Sequence, residues 1–313
     1  MPRRTPPLAP SLYGQRTAVL ATKHAKERAL GWPLSRGLGL SLLVPAGIDT
    51  DTLGTFTGEI PREGTPAEVV RRKARLGMAA AHVPIGLASE GSFGPHPLMH
   101  FLPSDFEVLV FVDDEEGFTV SVEVVTTDTN YAQQRCTTFD ELLTFASRVR
   151  FPSHALIVRP AGNPDPTLIR KGVSDHEALQ LALQQAIDAS PEHAASIETD
   201  MRAHANPTRM RVLRHLGARL ARRLRTLCPE CDCPGFGKTG AKPGLACEDC
   251  GTTTELTLRE IHGCPRCQEQ RHYPRPDGRA AASAQHCPSA ILETQSHERQ
   301  TTIPTHRRNL YSR

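Results

Sequence analysis

Aromatic residues make up only 5% of the 313-residue chain, and there is a single tryptophan. The core is therefore expected to be aliphatic and rich in alanine. Long apolar runs are missing as well. No stretch approaches the ~18 consecutive apolar residues that a membrane-crossing helix needs. The opening MPRRTPPLAPSLYGQ lacks the continuous apolar segment of a secretory signal. Cysteine is nearly absent from the first 227 residues, where Cys136 stands alone. Such lopsided usage argues against a disulfide framework, which would spread through the chain or define a short secreted domain. No membrane partner is expected, and a cytoplasmic location is. The net charge of +3 is too small to imply a nucleic-acid partner by itself, so the local distribution of charge matters more.

What is present begins with an alternation of strands and helices. Residues 1–15, rich in proline and arginine, read as a disordered tail. Arg16 to Thr22 and Leu38 to Val44 read as short strands, and 45–64 as a long loop. Thr65-Pro66-Ala67-Glu68 carries a helix-start signature, with Thr65 as cap, Pro66 at the first position and Glu68 closing a capping box. After Pro84, IGLAS reads as a strand ending in a glycine-rich turn, Glu90 to Gly94. Phe106–Val112 and Phe118–Thr126 read as a hairpin. Helices are expected at 138–149 (capping box Thr138, Glu141), 174–189 (capping box Ser174, Glu177) and 208–227, with strands at 154–158 and 195–198. The pattern places residues 16–226 in a mixed α/β domain, residues 227–290 in a small metal-binding module and 291–313 in a polar tail.

Eight of the nine cysteines lie between residues 228 and 287. Cys228-x2-Cys231, fifteen residues, then Cys247-x2-Cys250 falls within the spacing of four-cysteine zinc sites. Two cysteines three apart on a tight turn aim both sulfurs at one point, and two such knuckles complete a tetrahedron. Cys264-x2-Cys267 makes a third knuckle. Cys287 opens a fourth in which Ala290 stands at the second position, so His286, His272 or Cys233 is expected to supply the last ligand, with the two histidines favoured. Both sites read as closed and structural, holding Zn²⁺ to fold a module without a large core.

In the larger domain, polar residues gather at element ends. One group is Thr22, Lys23, His24 and Lys26, after the first strand. Another is Glu63, Thr65, Glu68 and Lys73. A third is Ser89, Glu90 and Ser92. Loops at strand ends form the ligand crevice of α/β sheets. Lysines there suit phosphate, and carboxylates suit Mg²⁺. Glu68 has the plain alternative of a capping partner. Glu90, after apolar residues, needs a partner or a metal. Asp200, Arg202, Asn206 and Arg209 form a further group that could bind a base or phosphate, ahead of a helix for which Thr208 is a reasonable cap. That helix carries Arg209, Arg211, Arg214, Arg219, Arg222, Arg223 and Arg225 and no acid, which is either a solvated face or a nucleic-acid footprint.

Two resemblances follow from these residues. ATKHAKE, GTFTGEIPREGTP, SEGSFGPHP, IETDMRAHANPTRM and LCPECDCPGF with KPGLACEDCG resemble a bacterial domain-of-unknown-function family, 6671, across residues 16–290. Its last knuckle is usually C-x-x-C, from which this chain departs at Ala290. More distantly, residues 17–225 resemble the pyrophosphatases of inosine and xanthosine triphosphates. Ala21 to Lys26 is similar to their A-T-x-N-x-x-K turn, one residue shorter and with His24 for Asn. Thr65, Glu68, Lys73 and Ala74 match their T-x-x-E-N-A-x-x-K-A helix, and IGLASEGSFG is similar to their acidic strand end. Phe151 to Ala155 loosely resembles their F-G-Y-D-P stretch, and Asn206 to Arg209 their closing helix start. The doubled Asp of many such enzymes is replaced by Ser89 and Glu90.

That likeness implies a twisted mixed sheet flanked by helices, in two lobes with a cleft. It implies Glu63, Glu68 and Glu90 as Mg²⁺ ligands or base, Lys26 and Lys73 on phosphates, and Arg209 on base or phosphate. The expected partners are a nucleotide substrate or, in the alternative without enzymatic activity, a nucleic acid or nucleotide held by the basic helix and a zinc ribbon.

Overall fold

The computed structural model describes residues 13–47 and 65–289, and the chain divides into two compact units, Met1–Arg225 and Thr226–Arg313. The expectations for residues 1–12, for most of the 45–64 loop including Glu63, and for the tail after 290 lie outside the described residues. Tyr13, expected in a disordered tail, is instead buried edge-on against Phe111 at 5.4 Å between ring centres.

The first unit is mixed α/β and holds two sheets. The larger runs β2-β1-β3-β4-β5, built from β1 (Thr17–Ala21), β2 (Ser41–Leu43), β3 (Ile85–Pro95), β4 (Pro103–Asp113) and β5 (Phe118–Thr126). Strands β2, β1 and β3 are parallel, and β3, β4 and β5 are antiparallel. Helix α1 (Glu27–Leu38) links β1 to β2, and α2 (Pro66–Ala81) precedes β3. The helices take opposite faces. Val70, Ala74 and Met78 of α2 pack on Ala21, Ala88, Val108 and Val110. Helix α1 instead meets α5 (Pro207–Leu224), where Gly37 comes so close that a Cβ there would lie 2.7 Å from that of Ala221. Successive connections from β1 and to β3 thus cover different faces, the topology that in α/β sheets favours ligand binding beyond the C-terminal end of β1.

The second sheet has the order β6-β9-β7-β8, from β6 (Gln133–Cys136), β7 (Leu156–Pro160), β8 (Arg170–Val173) and β9 (Ala195–Thr199). Helices α3 (Phe139–Arg148) and α4 (His176–Asp188) cover it, burying Leu142, Phe145, Leu179 and Leu183 against Leu156, Val158 and Ile197. The core is mostly aliphatic, with Phe111 and Phe145 as its largest fully buried side chains.

Four local readings change. Helix α1 occupies a stretch that shows no clear signal, because Gly31, Pro33 and Gly37 obscure its periodicity. Asp175, not Ser174, caps α4, accepting from the Ala178 N–H at 2.8 Å. Asn206, not Thr208, caps α5, with Pro207 at its first position. The glycine-rich stretch Glu90–Gly94 is not a turn. It continues β3 in unbroken register with β4, from Ile85↔Asp113 to Pro95↔Pro103.

The second unit is built on an antiparallel sheet of β10 (Gly237–Pro243), β11 (Thr257–Gly263) and β12 (Gln270–Pro274). No helix among the described residues is long and apolar enough to cross a membrane.

Candidate functional sites: a buried charged hairpin and two cysteine clusters

Strand pleating sorts the polar residues of the β3–β4 hairpin. Directly opposed residues share a face, and alternate residues take opposite faces. The pairs Ser89↔Leu109, Gly91↔Glu107 and Phe93↔Asp105 therefore point to one side, whereas Glu90, opposite Val108, points to the other.

On the first side, Arg209 at the start of α5 enters the sheet. Its Nε donates to Glu107 Oε1 at 2.5 Å, its Nη1 to the Met201 carbonyl at 2.5 Å, and its guanidinium lies 5.1 Å from the Phe93 ring centre. Both ionic partners are buried. A Cβ at Gly91 would fall 2.4 Å from Arg209 Nη2 and 2.5 Å from Glu107 Oε1, so only glycine leaves room for the pair. Glu107 Oε2, Asp105 Oδ1 and Ser89 Oγ are buried without a hydrogen-bond partner among the described residues, a state that costs free energy unless a water or ligand meets them. Burial, and then the neighbouring Glu107, push the Asp105 carboxyl up to about 8.

On the opposite side, Lys73 of α2 donates to Glu90 Oε2 at 2.6 Å, again with both groups buried. Lys26, from the turn between β1 and α1, donates to the Ser89 carbonyl at 2.7 Å. Burial, and then the positive Arg209, lower its ammonium to about 8. Three cations, Lys26, Lys73 and Arg209, thus surround the backbone of Ser89–Gly91, where β3 leaves the interior.

The remaining expected site residues are placed as follows. Glu68 is turned back into its cap: it accepts from the Thr65 N–H at 2.8 Å and does not reach Glu90's partner set. That N–H, then the Thr65 hydroxyl, hold the Glu68 carboxyl below its usual range. Thr22 accepts from the His24 N–H, and Lys23 is exposed. Asp200 is buried and grips Arg202. Asn206 joins its cap role to a bond to Asn130. Asp200, Arg202 and Asn206 therefore serve the loop that seats α5. Asp105 and Glu107 escape sequence reading because SDFEVLVFV reads as an amphipathic strand. The signal lay in the acids at alternate positions, 105 and 107, beside a strand that is otherwise apolar.

In the second unit the cysteines form two groups. The sulfurs of Cys228, Cys231, Cys264 and Cys267 all lie within 4.8 Å of one another, as do those of Cys247, Cys250 and Cys287. Cys228–Cys267 is 3.6 Å, Cys231–Cys264 3.7 Å and Cys250–Cys287 3.5 Å. A tetrahedron with Zn–S of ~2.3 Å has edges of roughly 3.8 Å, so both groups could hold a metal ion. The donor set suits zinc.

This grouping corrects the expected one, in which Cys228, Cys231, Cys247 and Cys250 formed a single site. The reason is strand length. The first knuckle precedes Gly237 and the third follows Gly263, and Gly237↔Gly263 are paired at one end of the sheet. The second knuckle follows Pro243, paired with Thr257 at the other end, about 20 Å along β10. Cys287 joins that end because Ala282 pairs with the second knuckle, through Glu248 N–H to Ala282 O at 2.9 Å and Ala282 N–H to Ala246 O at 2.7 Å. The three alternatives for the last ligand stay out of the second group. His286 Nε2 meets Gln285 Nε2 at 3.2 Å, His272 sits midway along the edge strand β12 opposite Ile261, and Cys233 is buried with its thiol on the Pro234 carbonyl and raised to about 12 by burial.

Two measurements check these sites. The raised Asp105 binds its proton more readily in the native chain. The stability it lends is complete below the unfolded value of ~3.9 and is lost as pH rises toward 8. Asp105→Asn should therefore gain on the wild type between pH 4 and 8, by on the order of a few kcal/mol at pH 8, in denaturant titrations across that range. Parallel curves would show that Asp105 is ionised throughout. For the metals, atomic absorption on purified protein should find that Cys228→Ser/Cys264→Ser loses one equivalent and Cys228→Ser/Cys247→Ser loses both. Site formation by consecutive knuckles would exchange the two results.

Comparison with known proteins covers less than the expected residues 16–290, leaving out β1, α1, β2 and Lys26. No curated protein matches the chain. A family model described as a domain of unknown function (DUF6671) matches residues 73–290, more than two thirds of the chain, from Lys73 of α2 through the last cysteine of the second cluster. The chain belongs to that family.

Proposed function

We propose that the first unit binds a phosphoanhydride, most suitably a nucleoside triphosphate, and hydrolyses it with release of pyrophosphate, while the second unit is held folded by zinc. The observation that carries this reading is the convergence of Lys26, Lys73 and Arg209 on Ser89–Gly91, the part of β3 just beyond the C-terminal end of β1. Ligands bind beyond such strand ends, and buried cations attract the charge of a polyphosphate strongly because little water screens them.

Glu90 is the one expected magnesium ligand that the described residues bring to this point. Magnesium keeps several waters and takes one or two carboxylates along with substrate phosphates, so a sparse donor set fits it. When bound there it would neutralise charge on the phosphate oxygens. Lys26 and Lys73 would hold the phosphates, and Lys73 would keep Glu90 ionised and oriented. A water oxygen would attack the α-phosphorus as the bond to the bridging oxygen breaks. Pyrophosphate would leave with the bonding pair, and the water's proton would pass to solvent. Arg209 stays tied to Glu107 and steadies the hairpin.

A pyrophosphate-release assay with Mg²⁺ and a panel of ordinary and deaminated nucleoside triphosphates tests the reading. Release is expected from the wild type and a loss of at least about a hundredfold from Glu90→Gln, the scale on which catalytic groups act. No release from folded, zinc-loaded protein would overturn it. A second reading rests on the exposed face of α5, where Arg211, Arg214, Arg219, Arg222 and Arg225 lie on the solvent side and Arg28, Arg211 and Arg214 line a cavity of about 360 Å³. Under that reading the protein binds a nucleic acid, with an affinity that falls steeply as salt rises.

A further inference from the structure

The two cysteine clusters are not equivalent. The first offers four sulfurs, and the second offers three, from Cys247, Cys250 and Cys287. Among the described residues no fourth histidine, cysteine or carboxylate donor joins them. A completed knuckle would place its second thiolate three residues after Cys287, and the chain has Ala290 there. His286, adjacent in sequence, meets Gln285 instead. Cys250 is exposed, whereas Cys247 and Cys287 are buried, so the side of the cluster that Cys250 occupies faces solvent.

We propose that Cys247, Cys250 and Cys287 bind zinc through three thiolates and leave the fourth position to an exchangeable donor from solution, a water or a small thiol. Three protein ligands and an open position are the arrangement that distinguishes reactive zinc from structural zinc. A chelator or an external thiol can enter at that position without first displacing a protein ligand. The first cluster also has an exposed member, Cys267, and the difference lies in ligand number: its four thiolates leave no open position. One zinc would therefore fold the unit and the other would be labile, responding to the supply of zinc and thiols. The inference rests on the reading of the clusters as zinc sites and is independent of the hydrolase reading.

The test is zinc release from the full chain, loaded with zinc and mixed with excess chromogenic chelator. Wild type should release two equivalents in two phases of equal amplitude, at least about tenfold apart in rate. Ala290→Cys, which supplies the missing thiolate, should slow the fast phase toward the slow one, and Cys287→Ser should abolish the fast phase alone. In cobalt-substituted protein, a small added thiol should shift the visible absorption of the wild type and leave that of Ala290→Cys unchanged; a labile site that ignores the thiol holds water. Two equivalents leaving in one slow phase would overturn the inference while leaving the zinc reading intact. So would loss of the second zinc in His286→Ala, or in a chain ending after Ser289, since a protein ligand would then fill the position. Protein that binds no zinc at all would overturn the zinc reading itself.

Discussion

The buried ion pair between Arg209 and Glu107 is the constraint around which the first unit is arranged. Two charges leave water only if their geometry and further hydrogen bonds compensate for lost hydration. Here the guanidinium also bonds the Met201 carbonyl and lies on the Phe93 ring, and Gly91 leaves the space for it. That anchors the first turn of α5 to β4. Helix α5 in turn seats α1 at Gly37, and α1 follows directly on Lys26, whose ammonium reaches the Ser89 carbonyl. One side chain thereby fixes the distance between two helices and the strand where the cations gather. Breaking the pair from one side would leave an uncompensated buried charge, a loss on the order of 3–5 kcal/mol.

The second unit solves a different problem. Its strands are mostly exposed and bury few apolar side chains, so sheet packing alone cannot hold it. Metal binding can supply what the core does not. The antiparallel pairing of β10 with β11 decides which knuckles meet, and the length of β10 keeps the two clusters apart. The same geometry that separates them allows them to differ in chemistry, one with four sulfurs and one with three.

Much of this was readable from residues, and the failures have physical causes. Capping boxes at Thr65 and Thr138 were legible because they depend on side chains within one turn. The caps at Asp175 and Asn206 were misread by one or two positions because neighbouring residues are also capable acceptors. Helix α1 was hidden by Gly31, Pro33 and Gly37; two of these, the buried Pro33 ring against Gly217 and the bare surface at Gly37, serve its packing rather than its propensity. Glycines at 91 and 94 suggested a turn, whereas Gly91 marks the close approach of Arg209 to a continuous strand. Lys26, Lys73 and Glu90 were legible as candidates from their places at element ends. Asp105 and Glu107 were not, since their partner Arg209 lies about a hundred residues away, and nothing local reports that encounter. The cysteines were legible as metal ligands and not as groups, because grouping follows strand register.

The central claim is that the cations around Ser89–Gly91 form a polyphosphate site. Calorimetric titration with a non-hydrolysable nucleoside triphosphate in the presence of Mg²⁺, for wild type, Lys26→Met and Lys73→Met, tests it most directly. The account predicts one site per chain in the wild type and a loss of at least about tenfold in affinity for each variant, as removal of a buried charge partner implies. Undiminished binding in both variants, or no binding by folded wild type, would contradict it.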